Sequence, residues 1–244
     1  MARYSTEDIA ARLAKTPLLA RLPPQELLDL ARAGRQTRVA SGGAIFLKGT
    51  PGLSLYLLCE GRVKITSSGP SGNELLLDII EPGEHFGEIS VLDGGPRTVN
   101  AIATQPSQVV CFDRNVIVPV LHGDPATALA LSRHLCEKLR TAIENVEEIA
   151  LLDAPTRLWM RLRNLSRRYS APLTGSEEGV QINHGLSQQN LADSIGVTRV
   201  MVNRQLGIWR EAGLIEDGRG FIRIPDPKAL EAFVRGHRDD STET

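Results

Sequence analysis

No run of apolar residues in this 244-residue chain is long enough to span a bilayer. Its first residues, Met1-Ala2-Arg3-Tyr4-Ser5-Thr6-Glu7-Asp8, lack the apolar core of a secretory signal, which predicts a cytoplasmic protein without a membrane partner. Cysteine is scarce: Cys59, Cys111 and Cys136 stand isolated, with no CxxC pair. They read as small buried hydrophobes in a reducing compartment and argue against a cysteine-held iron–sulfur cluster. The histidines His85, His122 and His134 have no cysteine at ligand spacing, so no metal is expected. A P-loop, a GxSxG elbow, an HExxH helix and a dense acid–base cluster are also missing, and the chain is not expected to be an enzyme.

Net charge of either sign is nearly absent, at -1 over the whole chain, but its distribution is uneven. Residues 154–224 hold ten Arg against six Asp or Glu, whereas residues 1–153 hold fifteen basic against eighteen acidic side chains. A basic C-terminal part behind a mildly acidic one points to a polyanion partner for the former alone.

What is present is a concentrated motif. Phe86-Gly87-Glu88-Ile89-Ser90 is followed, after Gly94-Gly95, by Pro96-Arg97-Thr98-Val99-Asn100-Ala101. Glycines let backbone amides approach an anion closely, and a short helix starting near Glu88 would turn its positive end the same way. Arg97 can fork onto a phosphate and Glu88 can accept from a sugar hydroxyl. That inventory suits a small phosphorylated ribose.

The surrounding texture is consistent. Pro23-Pro24 predicts the start of a helix within residues 18–33, with Leu27, Leu28, Leu30 and Ala31 inward. Short apolar runs at 44–47, 53–58, 62–66, 75–80 and 108–112 are separated by turn residues, among them Gly43, Gly49, Gly61, Gly72 and Gly83. Such spacing indicates an all-β barrel or roll. Residues 125–152 then read as one long helix without glycine or internal proline. Leu135, Leu139, Ala142, Val146 and Ile149 repeat at 4-3-4-3 spacing, the seam of a coiled coil, which predicts a parallel homodimer. Asp153 and Pro155 break that helix and cap an Arg-rich amphipathic one over 154–169. Residues 170–185 form a turn-rich connection around Pro172, Gly175, Gly179 and Gly185, with one strand at 179–183.

Residues 186–206 read as a helix-turn-helix. Ser187 caps a helix to Ile195, Gly196 makes the turn, and Thr198 caps a second helix with Met201 or Val202, Leu206 and Trp209 inward. A hairpin around Asp217-Gly218-Arg219-Gly220 would follow as a wing. The N-terminal side chains of such a second helix face the major groove, where Arg199 and Arg204 would lie broadly on one side.

With these residues in view, the chain resembles the cyclic-AMP receptor protein / fumarate–nitrate regulator (CRP/FNR) family of bacterial transcription factors. The likeness runs from about residue 18 to 225 and rests on LPPQELLDLA, LYLLCEGRVKI, FGEISVLDGGPRTVNA and TRVMVNR. It implies an α+β chain: a cyclic-nucleotide-binding β-roll (a double-stranded β-helix jelly roll) over 1–124, a dimerisation helix over 125–152, and a winged helix-turn-helix over 153–244. It further implies that Gly87 and Glu88 meet the ribose 2′-hydroxyl, Arg97 the cyclic phosphate, and Thr98 the hydroxyl beside it, with Phe86, Ile89 and Ser90 completing the cassette. Ile65, Leu77 and Ile79 would line the base side or pack the core. On the long helix, the adenine-contacting Thr-Ser pair of the family falls at Ala142-Ile143, leaving Thr141, Ala142, Glu144 and Asn145 as neighbours of the base. Thr98 also suits a guanine contact, so cAMP leads and cGMP is the alternative effector.

The DNA contacts implied are Ser187, Gln188, Gln189, Thr198, Arg199, Val200, Asn203 and Arg204, on a palindromic double-stranded operator. Val200 stands where the family's Glu reads cytosine, so the half-site is expected to depart from TGTGA there. RNA polymerase is the further partner implied. A cyclic-nucleotide module that does not bind DNA would leave 186–224 unexplained, and a regulator without an effector would be expected to lack Glu88 or Arg97.

Overall fold

The computed structural model describes residues 3–69, 74–123, 125–173, 179–218 and 220–239. Gly72, Gly175 and Arg219, read above as turn or wing residues, lie outside the described residues, as does the tail beyond 239. Two compact units emerge, Met1–Thr141 and Ala142–Thr244.

The first unit opens with α1 (Thr6–Leu13), a short helix absent from the sequence reading; Ser5 and Asp8 cap it reciprocally in a capping box. Helix α2 (Pro24–Ala33) starts at the Pro23-Pro24 pair, where the missing proline N–H costs no intrahelical bond. Leu18, Leu19 and Leu22 nonetheless remain buried ahead of it. The strands β1 (Arg35–Val39), β2 (Ala44–Phe46), β3 (Ser54–Glu60), β4 (Val63–Ser68), β5 (Glu74–Ile80) and β6 (His85–Phe86) precede the short α3 (Glu88–Asp93). Then come β7 (Asn100–Ala103), β8 (Ser107–Asp113), α4 (Arg114–Gly123) and α5 (Pro125–Leu151).

Two antiparallel four-stranded sheets result, ordered β1-β8-β3-β6 and β2-β7-β4-β5. Phe46, Leu58, Val63, Ile65, Ile80, Phe86, Ala101 and Val109 form one buried cluster between them. The other face of the first sheet packs Leu55, Leu57, Val110 and Phe112 against α1, α2, α4 and Leu131 of α5. Strand β8 is therefore apolar on both faces, and Val109 and Val110 enter different cores from adjacent positions, as a two-residue pleat requires. On α5, Leu139 and Val146 of the expected seam are 61% and 66% exposed, an apolar stripe with no intramolecular cover among the described residues.

In the second unit, α6 (Ala154–Tyr169) starts as expected: the Asp153 carboxylate accepts from the Thr156 amide at 2.8 Å. Strands β9 (Ser170–Pro172) and β10 (Val180–Ile182) follow, then α7 (Gln188–Ile195), α8 (Arg199–Glu211), β11 (Glu216–Gly218), β12 (Phe221–Ile224) and α9 (Pro227–Asp239). The strands make one antiparallel sheet in the order β11-β12-β10-β9. Leu158, Leu162, Leu191, Val202, Leu206, Trp209, Ile222 and Leu230 are buried in this unit. The inward residue of α8 is thus Val202, while Met201 faces solvent.

Candidate functional site

The cassette is held by backbone before any side chain acts. The Arg97 amide donates to the Thr50 carbonyl at 2.8 Å, and the Gly49 amide donates to the Arg97 carbonyl at 2.8 Å. These bonds fix residue 97 beside the 47–51 loop and aim its side chain into the roll. Gly87 ends β6 with φ of 85°, a left-handed conformation, and a Cβ there would lie 2.7 Å from Arg97 Nη1. Glycine is needed on both counts.

Arg97 is 3% exposed. Its Nη1 donates to the Gly87 carbonyl at 2.8 Å and its Nη2 to the Ser54 carbonyl at 2.6 Å. The guanidinium lies 4.2 Å from the ring centre of Phe46 and 5.5 Å from that of Tyr56. Phe46, Tyr56 and Phe86 pack on one another with centroids 5.4–6.0 Å apart. Burial lowers the Arg97 pKa, opposed by the Tyr56 hydroxyl, and burial in turn raises the Tyr56 pKa. The buried Nε of Arg97 has no hydrogen-bond partner among the described residues. A cation in this setting holds neutral acceptors only, and its buried Nε–H is among the donors left over, which fits a site for an anion.

Glu88 is buried at the start of α3, 4% exposed. Two side chains of α5 approach its Oε1: Lys138 Nζ at 3.6 Å and His134 Nε2 at 3.8 Å, ion-pair rather than hydrogen-bond distances. The His85 ring lies 4.8 Å from that of His134. Burial alone would raise the Glu88 pKa; His134, Lys138 and His85 outweigh it and bring the value to about 2. Burial, with His134 and Lys138 adding to it, lowers the His85 pKa to about 4. Glu88 is therefore an ionised acceptor at neutral pH.

The remaining cassette residues fall into two groups. Phe86 and Ser90 are buried, and the Ser90 hydroxyl donates to the Pro96 carbonyl at 3.0 Å. Ile89 and Thr98 are exposed at the rim. Ile65 and Ile79 are buried, and Leu77 packs partly buried against the inter-sheet cluster. On α5, Thr141 and Ala142 are exposed and Asn145 half-buried. Sequence reasoning missed Phe46, Tyr56, His134 and Lys138. A histidine and a lysine one helical turn apart facing one buried carboxylate leave no local signature, since the carboxylate comes from a distant segment.

In the second unit, Ser187 accepts from the Asn190 amide at 3.0 Å and Thr198 from the Met201 amide at 3.3 Å, so both expected caps start their helices. Gly196 ends α7 with φ of 66°, which makes the sharp turn between the two. Thr198, Arg199, Val200, Asn203 and Arg204 are all exposed on α8, and Val200 is 76% exposed. Gln188 is half-buried, and Gln189 donates to Asp193 at 2.7 Å on its own helix. Val200 thus stands exposed between Arg199 and Met201 at the start of α8, on the same exposed side as Arg204.

Comparison with known proteins places these two units. Residues 36–124 match the cyclic nucleotide-binding domain, and residues 156–233 the Crp-like helix-turn-helix domain. The chain is 30% identical over 225 residues to a CRP-like cAMP-activated global transcriptional regulator of Mycobacterium tuberculosis, covering 91% of this chain and 98% of that one. It is 31% identical over 222 residues to the cyclic AMP receptor protein of Thermus thermophilus, again covering 91% and 98%. A CRP/FNR-family transcriptional regulator of known structure from the same organism superposes with a TM-score of 0.63 at 25% identity, over 82% of this chain and 98% of that one. A cyclic-nucleotide-binding β-roll, a long helix and a winged helix-turn-helix, in that order and over nearly the whole length, make this chain a member of the CRP/FNR family of transcriptional regulators.

Proposed function

We propose that this regulator responds to a cyclic nucleotide, cAMP foremost and cGMP as the alternative, taken up in the β-roll. The observation that carries this reading is the pairing, in one cassette, of a buried ionised Glu88 with a buried Arg97 whose Nε lacks a partner among the described residues. The cyclic phosphate takes the Arg97 guanidinium, exchanging neutral carbonyls for an anion and adding the unused donor. Glu88 accepts from the ribose 2′-hydroxyl, Gly87 leaves room for the sugar, and Ser90, Ile89 and Phe86 shape the pocket. Thr98, on the rim, and Thr141, Ala142 and Asn145 on α5 are the residues assigned to the base.

The exposed stripe of Leu139, Ala142, Val146 and Ile149 pairs α5 with a second copy, so the working form is a homodimer. Ligand favours the state in which two α8 helices stand one DNA turn apart on a palindromic operator. Arg199 and Arg204 hold phosphate or guanine there, Ser187, Gln188, Gln189, Thr198 and Asn203 complete the contact, and Val200 meets a thymine methyl. RNA polymerase is the partner through which occupancy is read, in the cytoplasm.

Calorimetry of the full chain against cAMP, cGMP and cyclic di-GMP, paired with mobility shift of operator DNA, tests the reading. Binding of cAMP or cGMP, with DNA affinity rising in its presence and that dependence lost in Arg97→Ala, is the expected result. Equal DNA binding with and without nucleotide would overturn it.

A further inference from the structure

Strand β2 ends at Phe46, and residues 47–51 that follow are exposed, yet they carry the backbone bonds that fix Arg97. The Gly49 amide and the Thr50 carbonyl take the two backbone groups of residue 97, and Phe46, just ahead of them, lies against the guanidinium. An exposed loop with little buried surface does not hold such a position unaided. Its tie to the roll is Asn100, three residues after Arg97 and first in β7. This side chain is 8% exposed, and its Oδ1 accepts from the Lys48 amide at 2.9 Å. Its Nδ2 donates to Ser68 Oγ at 3.2 Å and, longer, to Thr66 Oγ1 at 3.5 Å, both on β4. Thr66 in turn donates to Glu74 of β5 at 3.2 Å. A backbone N–H can only donate, so the oxygen of the Asn100 amide faces Lys48 and its nitrogen faces the two hydroxyls. Asn100 thus gives the Lys48 amide the acceptor that a strand partner gives within a sheet. Lys48 Nζ adds a bond to Ser67 Oγ at 3.2 Å, but through a long exposed side chain that fixes little.

We propose that Asn100 is a positioning residue of the effector site: its side-chain oxygen pins the 47–51 loop at the Lys48 amide, and that loop aims Arg97 at the phosphate. This role rests on the reading above that Arg97 takes the effector's phosphate. The bonds run in series, from Asn100 to Lys48, then through Gly49 and Thr50 to Arg97. Losing Asn100 therefore weakens ligand binding only as far as a well-aimed Arg97 strengthens it. Coupling between the two residues, rather than addition, is the signature.

Two measurements on the full chain test it. In ligand-free protein, amide hydrogen exchange followed by NMR should quicken about tenfold at Gly49 and Arg97 in Asn100→Ala, the worth of one hydrogen bond, while Leu57 and Val109 of the first sheet keep their rates. Asn100→Asp presents an oxygen to the same amide and should keep both rates near those of the wild type. Asn100→Leu, of similar length, stands in for alanine if that protein does not fold. In calorimetry, cAMP should bind Asn100→Ala about tenfold more weakly than the wild type. Added to Arg97→Lys, the same substitution should cost less than about twofold. Additive losses in that cycle, or unchanged exchange at Gly49 and Arg97, would overturn the positioning role. Faster exchange in Asn100→Ala, with no cyclic nucleotide taken up by the wild type, would support the tie to the loop and remove the effector reading instead.

Discussion

Arg97 Nη1 donates to the carbonyl of Gly87 at 2.8 Å, across the cassette loop. The guanidinium so placed uses the planar fork that only arginine offers: a second branch reaches the Ser54 carbonyl while the face covers Phe46. Arg97→Lys keeps the charge and loses the fork. Cyclic-nucleotide affinity should fall about 10–100-fold, read by calorimetry, with the wild-type secondary structure retained by circular dichroism.

Gly87 carries both the left-handed φ and the close approach of Arg97, so Gly87→Ala strains the backbone and displaces the guanidinium together. The expected cost is about 1–3 kcal/mol in denaturation, with effector binding weakened beyond what Arg97→Lys loses. An alanine protein of unchanged stability would contradict the geometry.

His85 gives a stability prediction with a definite sign. Its pKa drops on folding to about 4, so the folded chain binds its proton less readily than the unfolded chain. Stability from this group is complete above about pH 6.5, the unfolded value, and is lost as pH falls toward 4, by on the order of 3 kcal/mol. Glu88 works the same way lower down: its depressed pKa stabilises above the ordinary carboxylate value and is lost toward pH 2. Urea midpoints should therefore decline between pH 7 and pH 4.5 in the wild type, and His85→Gln should flatten that decline.

Val200→Glu restores an acceptor on the exposed start of α8. Selection from random duplexes should then recover a half-site with cytosine recognised at that position, by about 1–3 kcal/mol over other bases, whereas the wild type shows no such preference. Arg204→Ala, by contrast, should weaken all duplexes alike and lower the salt dependence by about one phosphate contact.

Val146 is 66% exposed on α5. Val146→Glu should raise the dimer dissociation constant about 100-fold or more, seen as a monomer in sedimentation at micromolar concentration, because two carboxylates would be buried face to face. A dimer of unchanged affinity would place the interface elsewhere.

Much of the architecture was legible because its signals are local. Asp153 with Pro155, Ser187 and Thr198 each offer a side-chain oxygen three residues ahead of an orphan amide, and all three accept that bond. Strands β2, β3, β4, β5 and β8 were legible as apolar runs between turn residues, whereas β1, β6 and β7, polar or very short, were not. Helix α1 escaped because TEDIAARL is short and only half apolar, and its burial depends on the sheet it lies against. Helix α2 starts at its proline signal, and Leu18, Leu19 and Leu22 ahead of it are in the core all the same. Between Met201 and Val202 the spacing left a choice, and packing around Trp209 decided it.

The cassette divides along the same line. Composition and spacing along the chain were enough to name Glu88 and Arg97, because a carboxylate, a guanidinium and the glycines around them lie within one short segment and are chemically distinctive there. Contacts between distant segments are invisible at that level, since any lysine or histidine on a long helix looks alike in one dimension. Folding alone chose Phe46 and Tyr56 as the faces against Arg97, and His134 and Lys138 as the charges on Glu88. Burial then supplied what no motif encodes: a low-dielectric setting in which those neighbours, rather than water, set the ionisation of the carboxylate.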